Sequence, residues 1–236
     1  MISKNHPGEH HNQGENNMLN RLRAGVLGAN DGIVSVSAML LGMVGAGAED
    51  SVVVTAGIAS TIAGAMSMAL GEYVSVSAQR DTERMLIDKE RGELRDMPVE
   101  EHGELVGILR GYGISSETAE AAAGEIGKSD PLRVHLKLEL GLDHNDLVSP
   151  WNAALASALS FLVGAVLPML AIILSPDVAE PAVITAVTLV ALGATGAISA
   201  TIAGTDRLRS VVRLVTGGAA GLAVTYGVGL LFGTAI

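Results

Sequence analysis

Asp31 is the one charged residue in an apolar stretch that runs from Ala24 to Gly47. A lone carboxylate at the centre of a helix in hydrocarbon costs about 2.5–3.5 kcal/mol even on lenient insertion scales, so it marks a group that meets a cation or a proton inside the membrane. The alternative is an Asp that caps a helix break beside Gly32. A second apolar stretch, Val52–Ala78, carries Met68 and Glu72, spaced i, i+4 on one helix face. A thioether beside a carboxylate suits a transition metal better than Ca²⁺ or Mg²⁺. Asp31 lies eight residues inside Arg23 and Met68 twelve residues inside Arg80, which gives the two similar depth if their helices pack side by side. Two Glu-x-x-Glu pairs follow, Glu90 with Glu93 and Glu101 with Glu104, on either side of Pro98. Residues three apart share a helix face, so each pair can offer two carboxylates to one point, and Glu139 can add a fifth oxygen. Crowded carboxylates repel without a cation, and oxygen-rich sets suit Fe²⁺, Mn²⁺, Mg²⁺ or Ca²⁺. The bland alternative is a set of solvated helix faces.

The elements that must position these residues are mostly membrane helices. Nearly half of the 236 residues are apolar, yet six are aromatic and 29 are glycine. Small residues in place of aromatics suit closely packed membrane helices rather than a soluble core. Five windows are long enough to cross about 30 Å of hydrocarbon: 24–47, 52–78, 151–174, 182–204 and 211–232. Gly28-x-x-x-Gly32 in the first and Gly217-x-x-x-Gly221 in the fifth are close-approach motifs. A wide pathway is hard to enclose in one copy of so small a protein, and a second copy would supply the missing wall.

Charge then orients the chain. Arg21 and Arg23 precede the first span, and Arg207, Arg209 and Arg213 lie where the fourth meets the fifth. The loops with Glu49–Asp50 and Asp177–Glu180 hold no Lys or Arg. By the positive-inside rule the N-terminus and residues 79–148 are cytoplasmic and the C-terminus is outside. The net charge of −10 is concentrated: residues 78–148 hold sixteen acidic and nine basic side chains, a balance of −7. That excludes nucleic acid as a partner and faces the source of any cation. The absence of cysteine excludes a disulfide framework and a thiolate metal site. Residues 1–20 read as a disordered polar tail; its histidines at 6, 10 and 11 stand without ligand spacing, and it has no apolar region of a signal peptide.

The fold class expected is an all-α membrane protein of five transmembrane helices, with a cytoplasmic helical metal-binding domain inserted between spans two and three. Residues 21–78 form the first two membrane helices, 79–148 the inserted domain and 149–236 the last three helices. The second span has no breaker except glycine before Arg95, so it continues past the membrane to about Leu94. Pro98 opens a helix that runs to about Tyr112. Ser115 or Ser116 caps a third helix through Ile126, with acids in its first turn, and Pro131 opens a fourth that ends near Leu142.

These motifs resemble one family. The runs Gly28-Ala-Asn-Asp31-Gly-Ile-Val-Ser35 and Ala65-Met-Ser-Met68-Ala-Leu-Gly71-Glu72-Tyr-Val-Ser-Val-Ser77, with the acidic insertion, are similar to the vacuolar iron transporter family over about residues 20–236. The resemblance implies a homodimeric carrier in the lipid bilayer that exports Fe²⁺, or other divalent metals such as Mn²⁺, from the cytoplasm in exchange for protons. It implies that Asp31 and Met68 line the path at the dimer interface, and that Glu90, Glu93, Glu101, Glu104 and Glu139 hold metal in the cytoplasmic domain. The plant-like pattern has two adjacent methionines just before the last glutamate, where this chain has His135-Leu136. His135 can replace one soft ligand by a nitrogen; Leu136 cannot bind metal.

A secondary transporter is therefore the leading expectation, with no prosthetic group and with the metal as cargo. The alternatives are a membrane-tethered carboxylate di-iron ferroxidase and a metal-sensing scaffold. Carboxylate bundles that oxidise iron add Glu-x-x-His motifs from facing helices, and no histidine between 78 and 148 follows a glutamate by three. With an Ala- and Gly-rich composition, the membrane expected is a prokaryotic plasma membrane.

Overall fold

The structure is a computed structural model that describes residues 13–142, 149–175 and 180–233. Eight helices account for its regular structure: α1 (Gln13–Gly45), α2 (Asp50–Asp96), α3 (Pro98–Gly111), α4 (Ser116–Ile126), α5 (Pro131–Leu138), α6 (Pro150–Leu174), α7 (Glu180–Ile202) and α8 (Arg207–Gly233). No strand occurs among the described residues. Five helices are long and apolar enough to cross a membrane: α2, α6, α8, and the segments Gly25–Gly45 of α1 and Pro181–Ile202 of α7. The 47 residues of α2 extend about 70 Å at 1.5 Å each, more than twice the hydrocarbon thickness, so the helix outlasts its apolar half. Residues 1–12 of the expected tail lie outside the described residues, and α1 already begins at Gln13.

The chain divides into two units, Met1–Glu72 with Ala154–Ile236, and Tyr73–Ala153. The division falls inside α2 and α6, some residues from the sequence boundaries at 78 and 148, because both helices run through unbroken. In the first unit α1 is the hub. Val36, Leu40 and Leu41 of α1 join Val53 and Ala65 of α2, Phe161, Ala165 and Ile172 of α6, Ile184 of α7 and Leu222 of α8 in one buried cluster. Gly28 and Gly32 let α1 approach α6 closely: a Cβ at Gly28 would lie 2.9 Å from the Ser160 Cβ, and one at Gly32 would collide with the Phe161 carbonyl. That first small-residue motif is thus used within the chain, whereas Gly217 and Gly221 face open space. Between α1 and α7 the Thr188 hydroxyl donates to Ser37 Oγ at 2.7 Å, both side chains fully buried.

The second unit is a small helical cluster. The Ser115 hydroxyl caps α4 by accepting from the Thr118 N–H at 3.3 Å. Leu105 of α3 and Ala119 and Ala123 of α4 are buried, and His102 Nε2 meets Glu120 Oε1 at 2.9 Å across the two helices. Asp130 caps α5, accepting from the Arg133 N–H at 3.2 Å, with Pro131 in the first turn. The helix expected to reach Leu142 ends at Leu138. Gly141 adopts a left-handed φ of 66° that turns the chain, and the Leu142 N–H closes onto the Leu136 carbonyl at 2.8 Å. Glu139 therefore occupies the C-cap of α5 rather than its interior.

Candidate functional site

The first unit places its site candidates separately. Asp31 lies on the exposed face of α1 with Leu27 and Ser35, and the Ser35 hydroxyl donates to Asp31 Oδ1 at 2.6 Å. The i, i+4 spacing of Asp31 and Ser35 in the sequence is the signal that would have found this partner. Met68 is half-buried and packs against the core cluster. Glu72, one turn further along α2, is half-buried as well. Among the described residues, this carboxylate on an exposed face of an apolar span has the Ser35 hydroxyl as its hydrogen-bond partner.

The second unit does the opposite. Glu90 of α2, Glu101 of α3 and His135 of α5 are 2%, 5% and 1% exposed. His135 Nδ1 lies 3.0 Å from Glu90 Oε1, 3.4 Å from Glu101 Oε2 and 3.9 Å from Glu139 Oε2. Glu90, His135 and Glu139 each offer a ligand atom within 4.8 Å of the other two, a separation that one cation can bridge. Three of the converging atoms, Glu90 Oε1, Glu101 Oε2 and His135 Nδ1, are buried and make no hydrogen bond among the described residues. Buried polar atoms are normally satisfied, and buried charges are normally paired or bound to metal. Here three lone-pair donors from three helices converge on one point, an arrangement that could hold a cation.

The electrostatics agree with the geometry. Burial, and then the carboxylates of Glu139, Glu101, Glu93 and Glu104, push the Glu90 carboxyl up to about 7. Burial and then the neighbouring Glu104 raise Glu101 too, against the opposing pull of His135. A cation at this point would relieve both the desolvation and the repulsion.

The two Glu-x-x-Glu pairs split between inside and outside. Glu90 and Glu101 enter the cage, whereas Glu93 is partly exposed with Lys89 Nζ at 3.1 Å from its Oε1, and Glu104 is exposed. Three residues turn a helix through about 300°, so a pair at that spacing is splayed by about 60° and one member takes the inward direction. Both outer glutamates still raise the Glu90 pKa, so they lie within electrostatic reach of the cage. Leu136, beside His135 on α5, is fully buried. Neither Asp31 nor Glu72 belongs to this grouping of donors.

A model of the VIT family matches residues 22–230. The chain is 37% identical over 211 residues to a vacuolar iron transporter of Acanthamoeba castellanii, covering 89% of this chain and 78% of that protein. It is 37% identical over 213 residues to vacuolar iron transporter homolog 1 of Oryza sativa subsp. japonica, covering 90% and 74%. Over 205 residues it is 31% identical to vacuolar iron transporter 1 of Tulipa gesneriana, covering 85% and 83%.

Proposed function

The chain belongs to the VIT family of vacuolar iron transporters, and from that premise we propose that it moves Fe²⁺, with Mn²⁺ and similar divalent ions as further cargo, out of the cytoplasm in exchange for protons. It is an integral membrane metal transporter, and its named relatives are transporters rather than enzymes. The observation that carries the proton-coupled reading is Asp31, a carboxylate on the exposed face of a membrane helix whose hydrogen-bond partner is one serine. A group so placed alternates between a metal and a proton, because either neutralises a charge that hydrocarbon does not tolerate.

The proposed division of labour has two stations. Glu90, Glu101, His135 and Glu139 capture the cation, and Glu93 and Glu104 raise its local concentration. Asp31, Met68 and Glu72 serve the membrane passage, the carboxylates taking up protons from the far side as metal leaves. A second copy covers the exposed Asp31 face, which makes the working unit a homodimer. Residues 79–148 and the N-terminus face the cytoplasm on the strength of Arg21, Arg23, Arg207 and Arg209. The prokaryotic plasma membrane is proposed from composition alone, and the named relatives are vacuolar.

His135 is assigned as a nitrogen ligand of the capture station. Its Nδ1 faces three carboxylates without a hydrogen bond, the arrangement of a metal-binding imidazole and not of a buried spacer. A set of carboxylate oxygens with one imidazole favours first-row transition ions over Ca²⁺ and Mg²⁺. The test is metal uptake into proteoliposomes of the purified protein with and without a pH gradient. Acceleration by an opposing proton gradient is expected; uptake indifferent to that gradient would remove proton exchange from the mechanism.

A further inference from the structure

The glycines of the membrane unit fall into two kinds. On α1, α6, α7 and α8 several of them mark places where backbone meets backbone, while others there, such as Gly218 and Gly217, meet a side chain or open space. A Cβ at Gly164 would run into the Ala29 carbonyl, one at Gly229 into the Gly42 carbonyl, and one at Gly233 into that of Ala46. At Gly45 it would lie 2.8 Å from the Tyr226 carbonyl oxygen, and at Gly196 3.2 Å from the Val211 Cα. The glycines of the α2 span are different. A Cβ at Gly57 would meet the tips of side chains, Met169 Sδ at 2.7 Å and Leu40 Cδ2 at 2.8 Å. One at Gly64 would meet the ring of Phe161, and one at Gly71 would meet nothing.

Among the described residues, one side-chain hydrogen bond joins two helices of this unit, and it does not involve α2. Thr188 of α7 bonds Ser37 of α1 in the buried core. On α2 the hydroxyls of Thr55 and Thr61 turn back to carbonyls of their own helix, those of Ser51 and Gly57. Interlocked backbones cannot slide without collision. A helix seated on Leu, Phe and Met tips can shift by the usual ångström or two while those side chains change rotamer.

We propose that α2 is the moving element of the transport cycle, riding over Leu40, Phe161 and Met169 against a fixed frame of α1, α6, α7 and α8. The proposal rests on the transport reading above and deepens it. Met68 and Glu72 travel with α2 while Asp31 stays with the frame, so the motion itself gathers and separates the groups that hold the cation. Phe161 and Met169 are then positioning residues: they touch no metal, and they set how far α2 can travel.

The chain has no cysteine, so engineered disulfides test this without background. Gly57→Cys with Met169→Cys locks α2 to α6, and Gly57→Cys with Leu40→Cys locks it to α1, so that one pair survives as a test if the other misfolds. Two further pairs lock the frame to itself: Gly25→Cys with Ser160→Cys, where the Cβ–Oγ separation is 3.5 Å, and Gly193→Cys with Val215→Cys, where the Cβ–Cγ separation is 3.8 Å. Each protein is compared with itself, oxidised and reduced, for Mn²⁺ flux in proteoliposomes. Oxidation of an α2 lock should take flux to the level of empty liposomes, with recovery in reductant, while the frame locks leave it unchanged. Undiminished flux through an oxidised α2 lock would overturn the proposal, as would loss of flux in an oxidised frame lock. Absence of flux in the unmodified chain would remove the transport reading and this proposal with it.

Discussion

The two regions that hold the candidate metal ligands are built in opposite ways. In the acidic unit, three helices bury Glu90, Glu101 and His135 around one point and leave their lone pairs unused. In the membrane unit, Asp31 stands on an outward face with Ser35 as its partner. On the function proposed above, the buried Glu90, Glu101 and His135, with the exposed Glu139 at their edge, hold a cation firmly, because burial and mutual repulsion make the empty set unfavourable. A sparse, half-open set in the membrane holds it loosely, and a station from which an ion must leave needs that weakness. Capture and release are therefore separable by mutation.

The largest separation should come from Glu90→Gln combined with Glu101→Gln. Removing two of four ligands should weaken Mn²⁺ binding by at least about a hundredfold, near 2.7 kcal/mol. Flux at saturating metal should persist, since the membrane station is untouched. Unchanged affinity by calorimetry would reduce the cage to a cluster of protonated acids.

Proton competition gives the next effect. The Glu90 carboxyl, raised from 4.5 to about 7, stabilises the metal-free fold in its protonated form. That contribution is complete below the unfolded value and is lost as pH rises through about 7. The melting temperature in chelator should therefore fall between pH 6 and pH 8. With Mn²⁺ present it should rise over the same range, because the cation binds the ionised cage. Two parallel curves would break the link between this cage and metal.

The packing of the membrane unit predicts a third contrast. Gly32→Ala forces a Cβ against the Phe161 carbonyl and should destabilise the protomer by about 1–3 kcal/mol, the usual range for overpacking. Gly217→Ala, with open space around it, should leave protomer stability unchanged. Equal effects on thermal unfolding would mean that α1 and α6 are not in backbone contact.

His135→Ala should lower affinity about tenfold, near 1.4 kcal/mol, and should narrow the preference for Mn²⁺ over Ca²⁺. His135→Met should restore part of both. A variant with wild-type selectivity would show that the imidazole is only a packing group. The smallest change belongs to Glu93→Gln and Glu104→Gln, a few tenths of a kcal/mol each, as befits partly or fully exposed charges.

Much of this architecture was readable from the residues. Apolar windows and loop charges located five spans, and Pro98, Ser115 and Pro131 marked the starts of α3, α4 and α5, because proline and cap chemistry act locally. The end of α5 was not readable, since the sequence does not say which of its glycines will turn left-handed, and Gly141 does. Nor was the split within each Glu-x-x-Glu pair. Which glutamate points inward depends on the direction from which the neighbouring helices approach, which is a matter of tertiary packing and not of local spacing. Histidine at 135 stood out because it takes the place of a methionine in the family pattern, but its position among three carboxylates is a tertiary fact.

The comparison between a firm capture station and a loose passage is tested most directly by Asp31→Asn, with flux and equilibrium binding measured on the same preparation. Proteoliposomes of wild type and Asp31→Asn receive Mn²⁺ under an opposing proton gradient, while calorimetry follows binding in detergent. The variant should bind Mn²⁺ as tightly as wild type and carry none of it across the bilayer. Wild-type flux through Asp31→Asn, or loss of its tight binding, would contradict the separation of the two stations.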